Sequence, residues 1–282
     1  MGNPQSVALY TETLGGDHAE TIVFLPGFAG SHAVWNRDFQ ALSADYRLVF
    51  MDTLGFGRSP KPEIAYSLDD HLAAISTTLQ SLGVSRSHMV GHSMGCLLAL
   101  AFAQRFPERV TRLVLLALPY FQTEAEARAT IQRTSWFNHW LALDNPLAHV
   151  ACALMCRMRP AMLLIAPLLS PDVPAVVARD ALRHTWTSYS RTLRNVVFRA
   201  RPQEWLRTLP QPILIVQGTQ DHVAPIEHVR RGIAGRKNAR LIALAAGHQL
   251  IFSHSGVIAR EILQFLREPA ITQPDKQLVE RV

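Results

Sequence analysis

Ser93 sits in the pentapeptide Gly91-His92-Ser93-Met94-Gly95. A serine hydroxyl is a poor nucleophile until it is exposed and placed beside a base. Flanking glycines let neighbouring backbones approach where any Cβ would collide, so the pentapeptide reads as a sharp turn with the hydroxyl at its apex. The same turn puts the Met94 amide at a helix N-terminus, aimed at developing negative charge. Two more residues complete the chemistry: Asp221 follows Gly218-Thr219-Gln220, and His248 follows Gly247. His248 can take the Ser93 proton, and Asp221 can hold the imidazole in the right tautomer. The implied reaction is attack on a carbonyl carbon through a tetrahedral oxyanion and an acyl-enzyme.

These side chains are far apart in the chain, so a fold must gather them. Short apolar runs alternate with helical patterns, which predicts an α/β protein with a mostly parallel sheet and crossover helices. Strands are expected at Thr21–Leu25, 48–51, 88–90, 109–116, Ile213 to Val216 and 240–244. Helices are expected from about Ala33, over 68–82, from about Met94 to Arg105, near Ile226–Gly232 and over about 257–266. Over 68–82 the apolar residues recur at spacings of three and four, with Ser67 and Asp69 as cap chemistry and Gly83 as a stop. Ser93, Asp221 and His248 each follow a predicted strand. In a parallel sheet the C-terminal strand ends share one edge, so all three are expected at one rim, in the order Ser, Asp, His.

Between about Pro119 and Leu209 the strand pattern stops and helical stretches with clustered aromatics take over. The expected plan is a core of 1–118 and 210–268, a helical cap inserted at 119–209, and a loose polar tail at 269–282. The most apolar run, 160–169, is too short to span a bilayer. Residues 1–10 carry no leader pattern, and the three cysteines (Cys96, Cys152, Cys156) have no framework spacing; the expectation is reduced thiols and a cytoplasmic setting. The net charge is +6, but the basic residues are scattered and almost all Arg, so nucleic-acid binding is not expected. No metal-ligand constellation is present, and Gly55–Gly57 lacks the third glycine of a dinucleotide fingerprint; no cofactor or metal is expected. The expected partner is a small acyl substrate, and the chain is expected to be a monomer or homodimer.

With these segments in place, the chain resembles the α/β-hydrolase superfamily over roughly residues 10–265. Leu25-Pro26-Gly27-Phe28 resembles the family's oxyanion loop, with Pro26 where many members carry a bracing His. Asp52 through Gly55-Phe56-Gly57-Arg58-Ser59 resembles its Asp-x-x-Gly-x-Gly-x-Ser turn, and Phe106-Pro107-Glu108-Arg109-Val110 resembles the segment after the nucleophile helix. The resemblance implies a serine hydrolase with a helical cap and with the backbone amides of Phe28 and Met94 as oxyanion donors. Phe28, Trp136 and Trp186 are expected to touch substrate.

Other candidates have simpler readings. His92 is expected to pack or line the pocket, His222 to belong to its loop, and Asp52 to hold the Gly-rich turn. Glu124 and Glu126 offer an alternative acid site that fits less well than Asp221. His184, Trp186 and Tyr189 fall in a predicted cap helix that either faces the pocket or packs the cap. Serine at the elbow argues against dehalogenase-like and epoxide-hydrolase-like relatives, which resemble this architecture but use Asp. Carbon–carbon bond hydrolases, hydroxynitrile lyases and haloperoxidases keep a serine triad; the first often carry Trp after the catalytic His, where this chain has Gln249. The favoured reading is hydrolysis of an ester, thioester or lactone of a largely apolar small molecule. A non-hydrolytic cyclase or ligand-binding protein on the same scaffold is the reading from another class.

Overall fold

The computed structural model describes residues 7–16, 18, 20–134, 150, 158, 174–268 and 278–280. Trp136, Cys152, Cys156 and the apolar run 160–169 lie outside them. The strands are β1 (Thr11–Leu14), β2 (Thr21–Leu25), β3 (Arg47–Met51), β4 (Ser87–His92), β5 (Val110–Leu116), β6 (Ile213–Gly218), β7 (Ala239–Leu244) and β8 (Leu278–Glu280). They form one sheet in the order β1-β3-β2-β4-β5-β6-β7-β8. Only β1 runs antiparallel to its neighbour, β3.

The apolar runs of β2, β4, β5 and β6 are buried throughout or nearly so, as expected of parallel strands covered on both faces. Two apolar layers result. One gathers Val23, Leu25, Val49, Met89, Leu113 and Ile215 against α2 (Leu68–Ser81) and α3 (Met94–Arg105). The other gathers Phe24, Phe50, Val114, Leu214 and Ile242 against α10 (Ser255–Arg267). The helix expected from Ala33 is instead a 3₁₀ turn, His32–Val34, followed by the single turn α1 (Arg37–Gln40). Two side-chain caps, Ser31 and Asn36, break the segment into separate starts. The tail also differs from expectation. Leu278–Glu280 pairs parallel with β7 and lengthens the sheet.

Chain order and sheet order part company beside β2. The chain steps from β2 to β3 on one side and then to β4 on the other. Such a reversal, beyond the ends of β2 and β4, is the usual place for a ligand in sheets of this kind. Between β5 and β6 the described regular elements are helical: α4 (Glu124–Thr134), α5 (Ala175–Asp180), α6 (Trp186–Thr192), which runs on as a π-helical turn at Leu193–Val197, and α7 (Pro202–Thr208). The later helices are α8 (Ile226–Gly232) and α9 (Leu250–Ser253), ahead of α10.

α2 starts on a capping box, Ser67 with Asp70, and meets α6 through a buried contact between His71 Nε2 and Thr192 Oγ1 at 3.3 Å. His71 Nδ1 has no hydrogen-bond partner among the described residues. Burial pushes the His71 pKa down to about 4. The unfolded chain therefore binds a proton near the ordinary value of about 6.5 that the folded chain refuses. Stability is expected to fall as pH drops from about 6.5 to 4, by roughly 3 kcal/mol from this group. Urea unfolding across that range, with a shallower pH dependence in His71→Leu, checks it.

Candidate active site

Register brings the elbow to the loop after β2. Leu25 lies opposite Gly91, so Gly27 and Ser93, each two positions further on, meet beyond the strand ends. A Cβ added to Gly27 would lie 3.3 Å from the Ser93 Cβ and 3.0 Å from His92 Nδ1. Ser93 has φ 51° and ψ −118°, a conformation that costs about 1–3 kcal/mol for a residue with a Cβ. It is held there by Ser93 N–H donating to the Leu116 carbonyl and Cys96 N–H donating to the Ser93 carbonyl, both at 2.9 Å.

The motif glycines have measurable reasons. A Cβ on Gly91 would lie 2.4 Å from the Gly95 carbonyl, and one on Gly95 would lie 2.1 Å from the Leu25 carbonyl oxygen. Neither neighbour is a flexible side chain. Gly95→Ala is expected to cost roughly 3 kcal/mol, at the upper end for overpacking, and to abolish reactivity of Ser93. Denaturant unfolding and active-site titration on the same sample test this; unchanged stability would contradict the packing. Beneath the turn, the Cys96 thiol donates to the Gly91 and Leu116 carbonyls, and burial pushes its pKa far up. It is a packed thiol, not a nucleophile.

Asp221 and His248 arrive on adjacent loops. Gly218, ending β6, pairs with Leu244, ending β7. The loops are stitched by Thr219 N–H to the Leu244 carbonyl (2.8 Å) and Gln220 N–H to the Ala246 carbonyl (3.0 Å). Asp221 is buried, with its Oδ1 accepting from the Val223 and Ala224 amides at 2.8 Å each. Its Oδ2 meets His248 Nδ1 at 2.8 Å, and His248 Nε2 meets Ser93 Oγ at 2.9 Å. The three residues anticipated from sequence thus form one hydrogen-bonded line. A carboxylate oxygen only accepts, so Nδ1 carries a proton and Nε2 is free to accept from the serine.

Met94 opens α3, so its amide has no carbonyl one turn back in that helix. The Phe28 amide belongs to a turn closed by Gly30 N–H on the Gly27 carbonyl at 3.0 Å. Above the turn, the Phe28 ring meets Phe56 (5.3 Å between centroids) and Tyr189 of α6 (4.7 Å). Trp186 stacks on Tyr189, as does His184 at a tilt, so Tyr189 is the member of this trio that meets Phe28.

His92 points away from the hydroxyl, yet it bears on the site. Its Nε2 lies 3.1 Å from the His248 carbonyl, which only accepts, so Nε2 is protonated. Burial and the nearby His248 hold the His92 pKa down at about 3, so the ring is neutral. Nothing in the local sequence revealed this contact across 156 positions. Asp52 ties its own loop to the one after β2, accepting from the His32 amide, from His32 Nδ1 and from the Arg58 amide. Glu124 pairs with Arg128, Glu126 accepts from the Gln122 amide, and His222 is exposed on the loop beyond Asp221. Among the described residues no group of three or more His, Cys, Asp or Glu could hold a metal, and no helix is long and apolar enough to cross a membrane.

Comparison with known proteins agrees with this architecture. Residues 20–255 match the family model described as alpha/beta hydrolase fold. The chain is 30% identical over 232 residues to "Probable lysophospholipase BODYGUARD 4" of Arabidopsis thaliana, covering 73% of this chain and 54% of that protein. It therefore spans about half the length of that relative. Among solved structures it is similar to the enol-lactonase from Burkholderia xenovorans LB400, with TM-score 0.71, 22% identity and coverage of 92% and 96% of the two chains. It is also similar to the meta-cleavage product hydrolase CumD from Pseudomonas fluorescens IP01, with TM-score 0.68, 24% identity and coverage of 93% and 95%. At these identities the structural likenesses speak for the fold, and the family model for descent: the chain belongs to the alpha/beta hydrolase fold family.

Proposed function

We propose that the protein is a serine hydrolase that cleaves a carboxylic ester, thioester or lactone of a largely apolar small molecule. The observation that carries this reading is the continuous line from Ser93 Oγ through His248 to Asp221, at 2.9 and 2.8 Å. As Ser93 attacks the carbonyl carbon, its proton passes to His248 Nε2 and the new imidazolium is balanced by Asp221. The oxyanion is received by the amides of Met94 and Phe28. Collapse of the intermediate expels the alcohol or thiol, which takes the proton from Nε2. Water, deprotonated by the same ring, then releases the acid from the acyl-enzyme.

In this reading residues 119–209 form a cap over the rim, and Phe28, Phe56 and Tyr189 supply an apolar wall for the acyl or alcohol part. The name of one similar protein, a probable lysophospholipase, favours an ester over other acyl compounds. A fluorophosphonate probe tests the mechanism. Ser93 is expected to be phosphonylated in the wild-type protein, and the label is expected to vanish in Ser93→Ala. An unlabelled wild type would reject the reading. A panel of esters, thioesters, lactones and vinylogous diketones of graded length then ranks substrates by kcat/KM. Clear preference for a diketone would point to carbon–carbon cleavage instead.

A further inference from the structure

The loop that carries the Phe28 amide is anchored from two directions beyond its own strand. From the core, Asp52 holds His32 through both the His32 amide and Nδ1. From the opposite side, Ser31 Oγ donates to Asp180 Oδ2 at 2.8 Å, a contact spanning 149 positions. Asp180 ends α5, within the cap. Ser31 is fully buried and Asp180 only 4% exposed. The other carboxylate oxygen accepts from Arg183 Nε at 2.9 Å.

A buried ionised group is a weak source of net stability, because desolvation offsets most of its attraction. Its distinctive effect is directional, since the hydroxyl at 31 must aim at that one oxygen. Between Ser31 and Phe28 the chain is short and stiff: the turn is closed by Gly30 N–H on the Gly27 carbonyl, and Ala29 holds φ 57°. A displacement at Ser31 is therefore passed to the Phe28 amide. We propose that Asp180 is a positioning residue, which through Ser31 holds the Phe28 amide in line for the oxyanion, so that this donor is aligned only while α5 is seated on the core. The inference rests on the serine-hydrolase reading above and adds to it a dependence of the oxyanion donor on the cap.

The test compares wild type with Ser31→Ala, Asp180→Asn, Asp180→Ala and Ser31→Ala/Asp180→Ala on one good ester and its thiono counterpart. Outright loss of one oxyanion donor typically costs about 10²–10³ in rate, so misalignment is expected to cost about 10- to 100-fold in kcat. KM is expected to stay within about threefold, and the double variant to be no slower than the slower single one. Asp180→Asn, which retains an oxygen acceptor, is expected to recover part of the loss. The thiono ester, whose sulfur is a weaker acceptor, is expected to lose less than the oxo ester. Equal losses on both substrates, or kcat within twofold of wild type in Ser31→Ala, would overturn the proposal. Should Asp180→Ala fail to fold, the near-isosteric Asp180→Asn and Ser31→Ala carry the comparison. A wild type that hydrolyses no ester and takes no fluorophosphonate fails at the earlier step, and that result rejects both readings together.

Discussion

His248→Ala is expected to lower kcat on a good ester by about a millionfold, the scale seen when a serine triad loses its base. In the proposed mechanism His248 serves twice. It takes the Ser93 proton during acylation and the water proton during release, so both half-reactions stop. Nε2 lies 2.9 Å from Oγ, within reach of the hydroxyl proton. His92, though its ring centre lies 5.4 Å from that of His248, is protonated on Nε2 and committed to the His248 carbonyl. Ser93→Ala should lose a similar factor, and the double variant no more than either single one, because the residues act as a unit. A residue of about 10³–10⁴ over the uncatalysed rate should survive in all three from binding and the oxyanion donors. Steady-state rates on a chromogenic ester, with active-site titration to exclude contaminating wild type, measure this. A loss below a hundredfold in His248→Ala would remove that residue from the role of base.

Asp221→Asn is expected to cost about 10⁴ in kcat with little change in folding. The geometry makes this sharper than a generic loss of charge. Two backbone amides, from Val223 and Ala224, donate to Oδ1. In the asparagine variant only the amide oxygen can occupy that place, so the NH₂ group must face His248. Imidazole Nδ1 then accepts instead of donating, its proton moves to Nε2, and the nitrogen facing Ser93 can no longer take a proton. The rate should fall while KM and the unfolding midpoint stay close to wild type. The NMR shifts of the ring nitrogens should exchange their protonated and unprotonated signatures. An asparagine variant with the wild-type tautomer would break this account.

Much of the site was legible because its residues sit where local patterns change. Thr21–Leu25 is an unbroken apolar run and appears as a strand with those bounds. Ser93, Asp221 and His248 each lie within four positions of a strand end marked by glycine or an abrupt turn to polar residues, and periodicity finds strand ends. What periodicity cannot see is contact between segments that share no pattern. Ser31 with Asp180 and His92 with His248 are pairings of that sort. β1 escaped for a different reason: Thr-Glu-Thr-Leu is exposed along most of its length, and its pairing with β3 leaves no apolar alternation. The 3₁₀ break after His32 arises because Ser31 and Asn36 each claim a nearby amide, a competition that helix spacing alone does not register. Trp186, expected at the substrate, stacks on Tyr189, so one helix sets both aromatics in a row.

The order in which the strands are laid down has a consequence for the newborn chain. β2, β4 and β5, with Ser93 on its turn, leave the ribosome well before β6 and β7, which add along the β5 edge. Domains assemble largely from the amino end as synthesis proceeds. Until β6, β7 and the loops after them have emerged and docked, Ser93 has neither His248 nor Asp221 beside it. In the proposed mechanism, nascent chains that lack β6 and β7 are therefore expected to be unreactive, and reactivity begins once the loops carrying Asp221 and His248 are in place.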